Sequence, residues 1–226
     1  MFVVTTAHVT TAQTKPKARR MPREVRERQM LDAAVRVFAR RGYSAASMDE
    51  IAELAGASKP LVYLYLNSKE GLFTTCIRRE ADVLLAAVRA AARPEDPAER
   101  RLWNSLRAFF AHTAEHPEGW AVLSRQARCH GEAFAGVVAE VREGVVDVIV
   151  RLIEEAAGAA PDAPPLNGRE ASGLAYALVG AAESLADAAN GPAGQIVPSA
   201  REAAETLMNV AWVGLENLVS GRRWPR

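Results

Sequence analysis

The sequence predicts an all-α chain of about nine helices, divided into a small N-terminal three-helix part and a larger helical C-terminal part. Three observations predict it. Apolar residues recur at steps of three and four from Leu31 to Val219, the spacing that gathers them on one face of a helix. No segment alternates with the two-residue period of a half-buried strand, and there is no internal repeat. Breaks rich in Gly and Pro stand between the periodic runs, at 42, 56, 91–97, 117–119, 157–168 and 191–198.

Residues 1–22 form a Thr-rich stretch with sparse apolar residues, interrupted by Pro16 and Pro22, and are expected to be a flexible arm. Its end is dense in cations, including Arg19 and Arg20, and suits either contact with nucleic-acid phosphates or a solvated tail. A first helix is predicted from Arg23 to Arg41, with Leu31, Ala34, Val35 and Phe38 on its inner face. Arg40 and Arg41 in its last turn suit the helix dipole, and Gly42 follows as the C′ residue.

Two short helices follow within 47–66. Ser47 with Glu50 three residues on reads as a capping box, so a helix starts at Met48. Met48, Ile51, Ala52 and Ala55 give it one apolar face, and Gly56 ends it where the reversal needs positive φ. Ser58 is the expected cap of the next helix, with Pro60 tolerated in the first turn. Val62 and Leu66 face inward. Two helices joined by a tight glycine turn constitute a helix-turn-helix, the motif that lays its second helix in a DNA groove.

The fourth helix starts at Lys69 behind Ser68 and carries apolar residues as far as Val88, so it crosses from the first part into the second. Further helices are predicted at about 98–116, around 120–129, at 132–157, 169–189 and 199–220. The last two have apolar arcs wider than one core requires. They would form a four-helix bundle if paired with the same two helices of a second copy.

The run Tyr63-Leu64-Tyr65-Leu66-Asn67-Ser68-Lys69-Glu70-Gly71-Leu72-Phe73, with the capped helices before it, resembles the DNA-binding domain of the TetR family of repressors over about 24–84. Leu66 stands where that family usually has Phe. The resemblance implies a helix-turn-helix DNA-binding domain at 23–73 and a ligand-binding and dimerisation domain at 74–226. It also implies a homodimer on a pseudo-palindromic operator, with a small effector that tilts the two heads. By that likeness Ser47, Tyr63, Tyr65 and Lys69 contact phosphates. The side-chain chemistry adds Ser58 for phosphate, Lys59 for a guanine edge, and Pro60 and Leu61 for a thymine methyl. The dimer contact is expected at Leu174, Leu178, Leu185, Leu207, Ala211, Trp212 and Leu215. Expected pocket residues are Trp103, Phe109, Phe110, Trp120, Phe134 and Tyr176, with His112, Arg125, Arg128 and Glu183 as polar handles for an apolar or aromatic molecule.

Charge agrees with this division. The net charge of +1 says little, but residues 1–45 hold ten Lys and Arg against Glu24, Glu27 and Asp32. That is a net of +7, which leaves −6 for the other 181 residues of the 226. A basic front on an acidic body suits a polyanion bound at one end. Cys76 and Cys129 are the two cysteines, without a CxxC, which fits a reducing cytosol; no apolar run reaches membrane-spanning length and the start is a poor signal peptide. A cytoplasmic protein is expected.

No cofactor is expected. His112 and His116 lie four apart, but no third metal ligand accompanies them. There is no phosphate loop, nucleophile elbow or carboxylate pair, so the chain does not read as an enzyme. Two other readings compete: a helical small-molecule-binding or interaction module with a degenerate helix-turn-helix, and a redox sensor using Cys129 beside His130.

Overall fold

The computed structural model describes residues 22–126, 132–158, 166–191 and 198–219. Among them are nine α-helices: α1 (Arg23–Ala45), α2 (Met48–Leu54), α3 (Lys59–Leu66), α4 (Lys69–Ala91), α5 (Ala98–Glu115), α6 (Pro117–Ala121), α7 (Glu132–Gly158), α8 (Gly168–Ala189) and α9 (Ala200–Val219). A single π-helical turn, Val122–Gln126, extends α6.

The breaks have local causes. At Gly42 φ is 77°, and α1 kinks there before one further turn. Gly56, at φ 62°, closes α2: its N–H reaches the Glu53 carbonyl at 3.0 Å and the Ala57 N–H reaches the Ala52 carbonyl at 2.9 Å. Those two bonds are the Schellman pattern, and they turn the chain sharply enough to set α3 against α2. Ser68 caps α4, its Oγ accepting from the Gly71 N–H at 2.9 Å. Asn167 and Glu170 form a full capping box at the start of α8.

Two buried clusters result, and α4 serves both. Phe38, Ile51, Val62, Phe73 and Ile77 centre the first, between α1, α2, α3 and the start of α4. Leu84 and Val88, further along α4, join Leu106, Phe110, Ile153, Leu178 and Leu207 in the second. Around α4 the second cluster is built from α5 packed on α9, α7 packed on α8, and α8 packed on α9.

Phe134 departs from expectation. It was placed by periodicity in the pocket of the C-terminal part, yet it belongs to the first cluster and is 1% exposed. Its ring stands edge-on to Tyr43 at 4.9 Å and to Phe73 at 4.8 Å, and Phe73 stands edge-on to Phe38 at 4.8 Å. Edge-to-face rings at this spacing add about 0.5–1.5 kcal/mol per pair beyond their burial. The start of α7 therefore plugs the N-terminal head.

A polar bridge runs beside the plug. Arg79 of α4 donates to Asp32 of α1 at 2.8 Å and to Glu80 at 2.6 Å. The backbone of Gly119 in α6 lies so close to Glu80 that an added Cβ would meet its Oε2 at 2.3 Å. Gly119 does not break the chain as its residue type suggests, because α6 runs through it from Pro117 to Ala121.

The expected dimer residues divide. Leu178, Leu207 and Ala211 are buried inside the single chain, and Leu174, Leu185 and Trp212 pack partly against its core. Leu215 has its side chain outside the described residues. Among the described residues the large apolar side chains left outward on α9 are Val210, 69% exposed, and Val213, 56% exposed, one helical turn apart. On α8 the outward residues are Gly173, Tyr176, Ala177, Ala181 and Ser184. The wide apolar arcs therefore have two sides, one spent on the protomer core.

Replacing Phe134 with alanine removes a fully enclosed ring, and we expect a loss of about 3–5 kcal/mol in urea unfolding. Tyr176→Phe, at an exposed site, should leave the unfolding midpoint unchanged.

Candidate functional site

The outward side of α3 is assembled by its neighbours. Ser47 caps α2 through its Oγ, which accepts from the Asp49 N–H at 3.1 Å. The expected reciprocal box does not form. Glu50 turns instead to Arg41 at 3.4 Å and Arg40 at 3.6 Å, so it ties α2 to the end of α1. Ser58 has N-cap backbone geometry but its side chain makes no cap bond; its carbonyl takes the Leu61 and Val62 N–H groups.

Lys59, Pro60 and Tyr63 are exposed and Leu61 is half-buried. The Lys59 ammonium donates to Asp49 Oδ2 at 2.8 Å, and that bond raises its pKa. Leu64, 74% exposed, was missed by sequence reasoning. The signal was available: positions 60, 63, 64 and 67 fall at i, i+3, i+4 and i+7, and only their opposite face can enter the core. An apolar side chain this open on a short helix marks a contact surface.

Tyr65 is half-buried beneath the Arg23 guanidinium, which sits 5.1 Å from its ring centre. Lys69 is also half-buried. Its Nζ donates to the Ser44 carbonyl at 3.0 Å and lies 4.9 Å above the Tyr43 ring. Burial, then Glu70, raises the Tyr43 phenol pKa, so the ring stays neutral under the ammonium. Leu66 has its side chain outside the described residues, as do Arg19 and Arg20 entirely.

Behind the head lies an apolar cavity of about 150 Å³, walled by α4, α5, the π turn, α7 and α8. Leu84, Leu85, Val88, Leu106, Val145 and Ile149 are among its lining residues. Of the expected pocket residues, Phe109, Trp120 and Glu183 lie on the wall. Trp120 is fixed by its indole N–H, which donates to Asp187 at 2.9 Å, and by Phe109 edge-on at 5.5 Å.

The others lie elsewhere. Phe110 is turned into the core and Phe134 into the head. Trp103 packs on the core's rim with Arg107 5.8 Å above its ring. His112 faces His116 at 4.4 Å, and Tyr176 is exposed, donating to Glu143 at 2.6 Å. Arg128 and the side chain of Arg125 lie outside the described residues. Helical spacing identifies a buried face but not which neighbour buries it, hence these misplacements. Wall residues outside the expected set include the apolar Leu84, Val88 and Leu106 and the polar Ser105, Ser124 and Arg142.

Other reactive groups are quiet. Burial pushes the Cys76 thiol up to about 12, and burial with His116 lowers the His112 pKa. Among the described residues no three metal-ligating side chains converge, and no helix is long and apolar enough to cross a membrane. Cys129 lies outside the described residues.

Residues 30–76 match the family described as bacterial regulatory proteins, tetR family, and 98–214 match the tetracyclin repressor-like C-terminal domain. The chain belongs to the TetR family. A TetR-like transcriptional regulator from Rhodococcus sp. RHA1 is similar in structure, with a TM-score of 0.72 and 38% identity over 87% of this chain and 99% of that one. The transcriptional activator FasR of Mycolicibacterium smegmatis is 34% identical over 142 residues, 63% of this chain and 65% of that protein. The transcriptional repressor SCO4008 of Streptomyces coelicolor is 32% identical over 133 residues, 54% and 65% of the two chains. The match thus spans slightly under two thirds of each of these two TetR-type relatives.

In a Cys129→Ser chain the remaining thiol, Cys76, should resist Ellman's reagent at pH 8 until denaturant is added, because almost none is thiolate. Rapid labelling of the native chain would show an open Cys76.

Proposed function

We propose that the chain is a sequence-specific transcriptional regulator, a repressor that binds a pseudo-palindromic operator as a homodimer and is released by a small apolar effector. One observation carries this: an open face of Lys59, Pro60, Tyr63 and Leu64 on a helix too short to stand alone, held outward by its neighbours. A helix of eight residues has no stability of its own in water, so its presentation is the work of α1, α2 and α4. The side chains sort by chemistry. Tyr63, Tyr65, Lys69 and the Ser47 and Ser58 hydroxyls suit phosphate oxygens. Lys59 suits guanine O6 and N7, and Pro60, Leu61 and Leu64 suit thymine methyls.

The homodimer would form through α8 and α9, with Val210 and Val213 over the small residues of α8. Two heads then meet half-sites about one helical turn, roughly 34 Å, apart. The effector would enter the cavity beside α4, the helix common to head and body. It can release DNA only by binding the non-DNA conformer better. FasR is named an activator and SCO4008 a repressor, so in-vitro transcription from the bound promoter decides the sign. A repressor lowers transcript yield as protein is added.

Binding to fragments selected from genomic DNA, followed by anisotropy at several salt concentrations, tests the core of the proposal. Lys59→Ala should relax discrimination at one G·C pair by roughly ten- to hundredfold. Lys69→Ala should weaken all sequences alike and flatten the salt dependence. Asp49→Asn should tighten operator binding severalfold, because it frees Lys59 and removes a carboxylate that repels phosphate. Unchanged selection in Lys59→Ala would remove Lys59 from base reading.

A Val210→Glu, Val213→Glu chain should elute as a monomer in light scattering and lose operator affinity while keeping its helical signal. A dimer in that chain would move the interface elsewhere.

A further inference from the structure

From the polar groups set in the cavity wall we infer that the effector is a neutral apolar molecule bearing a carbonyl-type hydrogen-bond acceptor. The inference rests on the cavity being the effector site, as proposed above, and goes on to name the class of molecule.

The wall is apolar apart from Ser105, Ser124, Arg142 and Glu183. Ser105 and Ser124 are 2% and 3% exposed. Their hydroxyls, and the Nε of Arg142, are buried with no hydrogen-bond partner among the described residues. Three helical hydroxyls elsewhere in this chain bond back to the preceding turn: Thr75 to Gly71, Thr113 to Phe110 and Ser172 to Gly168. Ser105 and Ser124 do not. Buried polar atoms left this way are rare in native proteins and mark either ligand or solvent contacts. The guanidinium N–H can only donate, while each hydroxyl can donate or accept, so an acceptor is the one ligand group that all three can bond.

Solvent in the cavity leads to the same conclusion. A carbonyl that displaces a water keeps the hydroxyl's bond, whereas an alkyl group displaces it without replacement.

Charge then separates a carbonyl from a carboxylate. Arg142 Nη2 lies 3.6 Å from Glu183 Oε2, beside Gly180 of α8. The wall thus sets one positive and one negative group side by side among the described residues. A carboxylate entering this site would lose its hydration and meet Glu183 as well as Arg142, while a neutral carbonyl meets no such opposition. A positively charged ligand would likewise lose its hydration and meet Arg142 as well as Glu183.

The test uses three probes with one phenylbutyl skeleton: butylbenzene, butyrophenone and 4-phenylbutyrate. Calorimetry and thermal shift are run on the full chain and on a Ser105→Ala, Ser124→Ala chain. Butyrophenone should bind about tenfold tighter than butylbenzene, the value of one or two net hydrogen bonds, and tighter than 4-phenylbutyrate. The double variant should keep its butylbenzene affinity and bring the ketone within about twofold of it. Its unfolding temperature without ligand should not fall, since no partnered bond is removed. Glu183→Gln should raise 4-phenylbutyrate affinity at least fivefold by leaving Arg142 uncancelled.

Equal binding of ketone and hydrocarbon would overturn the inference and leave the cavity standing as an apolar site. So would tighter binding of the carboxylate, a ketone preference that survives the double variant, or no gain in Glu183→Gln. If none of the three probes binds, the cavity is not the effector site, and the reading beneath the inference fails with it.

Discussion

The joint between head and body rests on one cluster of rings. Phe38 and Tyr43 from α1, Phe73 from α4 and Phe134 from α7 meet at centroid distances of 4.8–5.0 Å, with Phe38 and Tyr43 themselves at 6.1 Å. A chain with its head attached by α4 alone would hinge at that helix. Here a second helix inserts a side chain into the head's core, so the head cannot rotate without repacking an interior as dense as any other. The neighbouring Arg79 bridge to Asp32 and Glu80 holds the same two bodies through charge. It is only partly shielded from solvent, and the rings make the larger contribution.

The cavity is built on that joint. Ile77 belongs to the head's core and also to the cavity wall; Val138 and Val141 pack against the head and line the cavity as well. Phe134, Val138 and Val141 fall at i, i+4 and i+7, along one face of α7. Whatever presses on the two valines presses on the helix that carries the plug. At the far side of the plug Tyr43 lies beneath the ammonium of Lys69, the first residue of α4. A physical path of packed groups thus connects the cavity to the Lys69 ammonium. Its length is a few side chains, short enough that no long-range wire need be invoked.

How much of this was legible follows from what each signal measures. Caps and turns depend on a few adjacent residues, so Gly42, Gly56 and Ser68 act where the sequence puts them. Even there competition intervened. Glu50 had the spacing for a capping box, but two arginines at the end of α1 lie within reach, and a carboxylate gains more from cations than from a neutral N–H that water can also serve. Helical spacing located the buried faces of all the long helices. It could not say that the first turn of α7 faces the head while its middle faces the cavity, because the crossing of two helices is a tertiary fact. Phe134 was misplaced for that reason, and Leu178, Leu207 and Ala211 for the converse one. Ser105 and Ser124 carried no signal at all: a lone serine in a helix is usually solvated or bonded to its own backbone, and only coordinates reveal one that is neither.

The same geometry constrains how an effector could work. A ligand shifts an equilibrium only by its difference in affinity for two conformers, and a molecule that fills existing space equally well in both shifts nothing. The part of the wall whose shape depends on head position is the part shared with the head, at Ile77, Val138 and Val141. Contacts at the opposite end, among Val148, Ile149 and Leu178, lie inside the body's own core and should be nearly alike in any head orientation. Binding energy gathered there gives affinity without release. A molecule therefore needs reach as well as apolar surface: long enough, once its acceptor is held by the wall's polar groups, to touch the shared floor. Two compounds of equal affinity can then differ entirely in effect, one an inducer and the other a silent occupant, according to whether they extend to that floor.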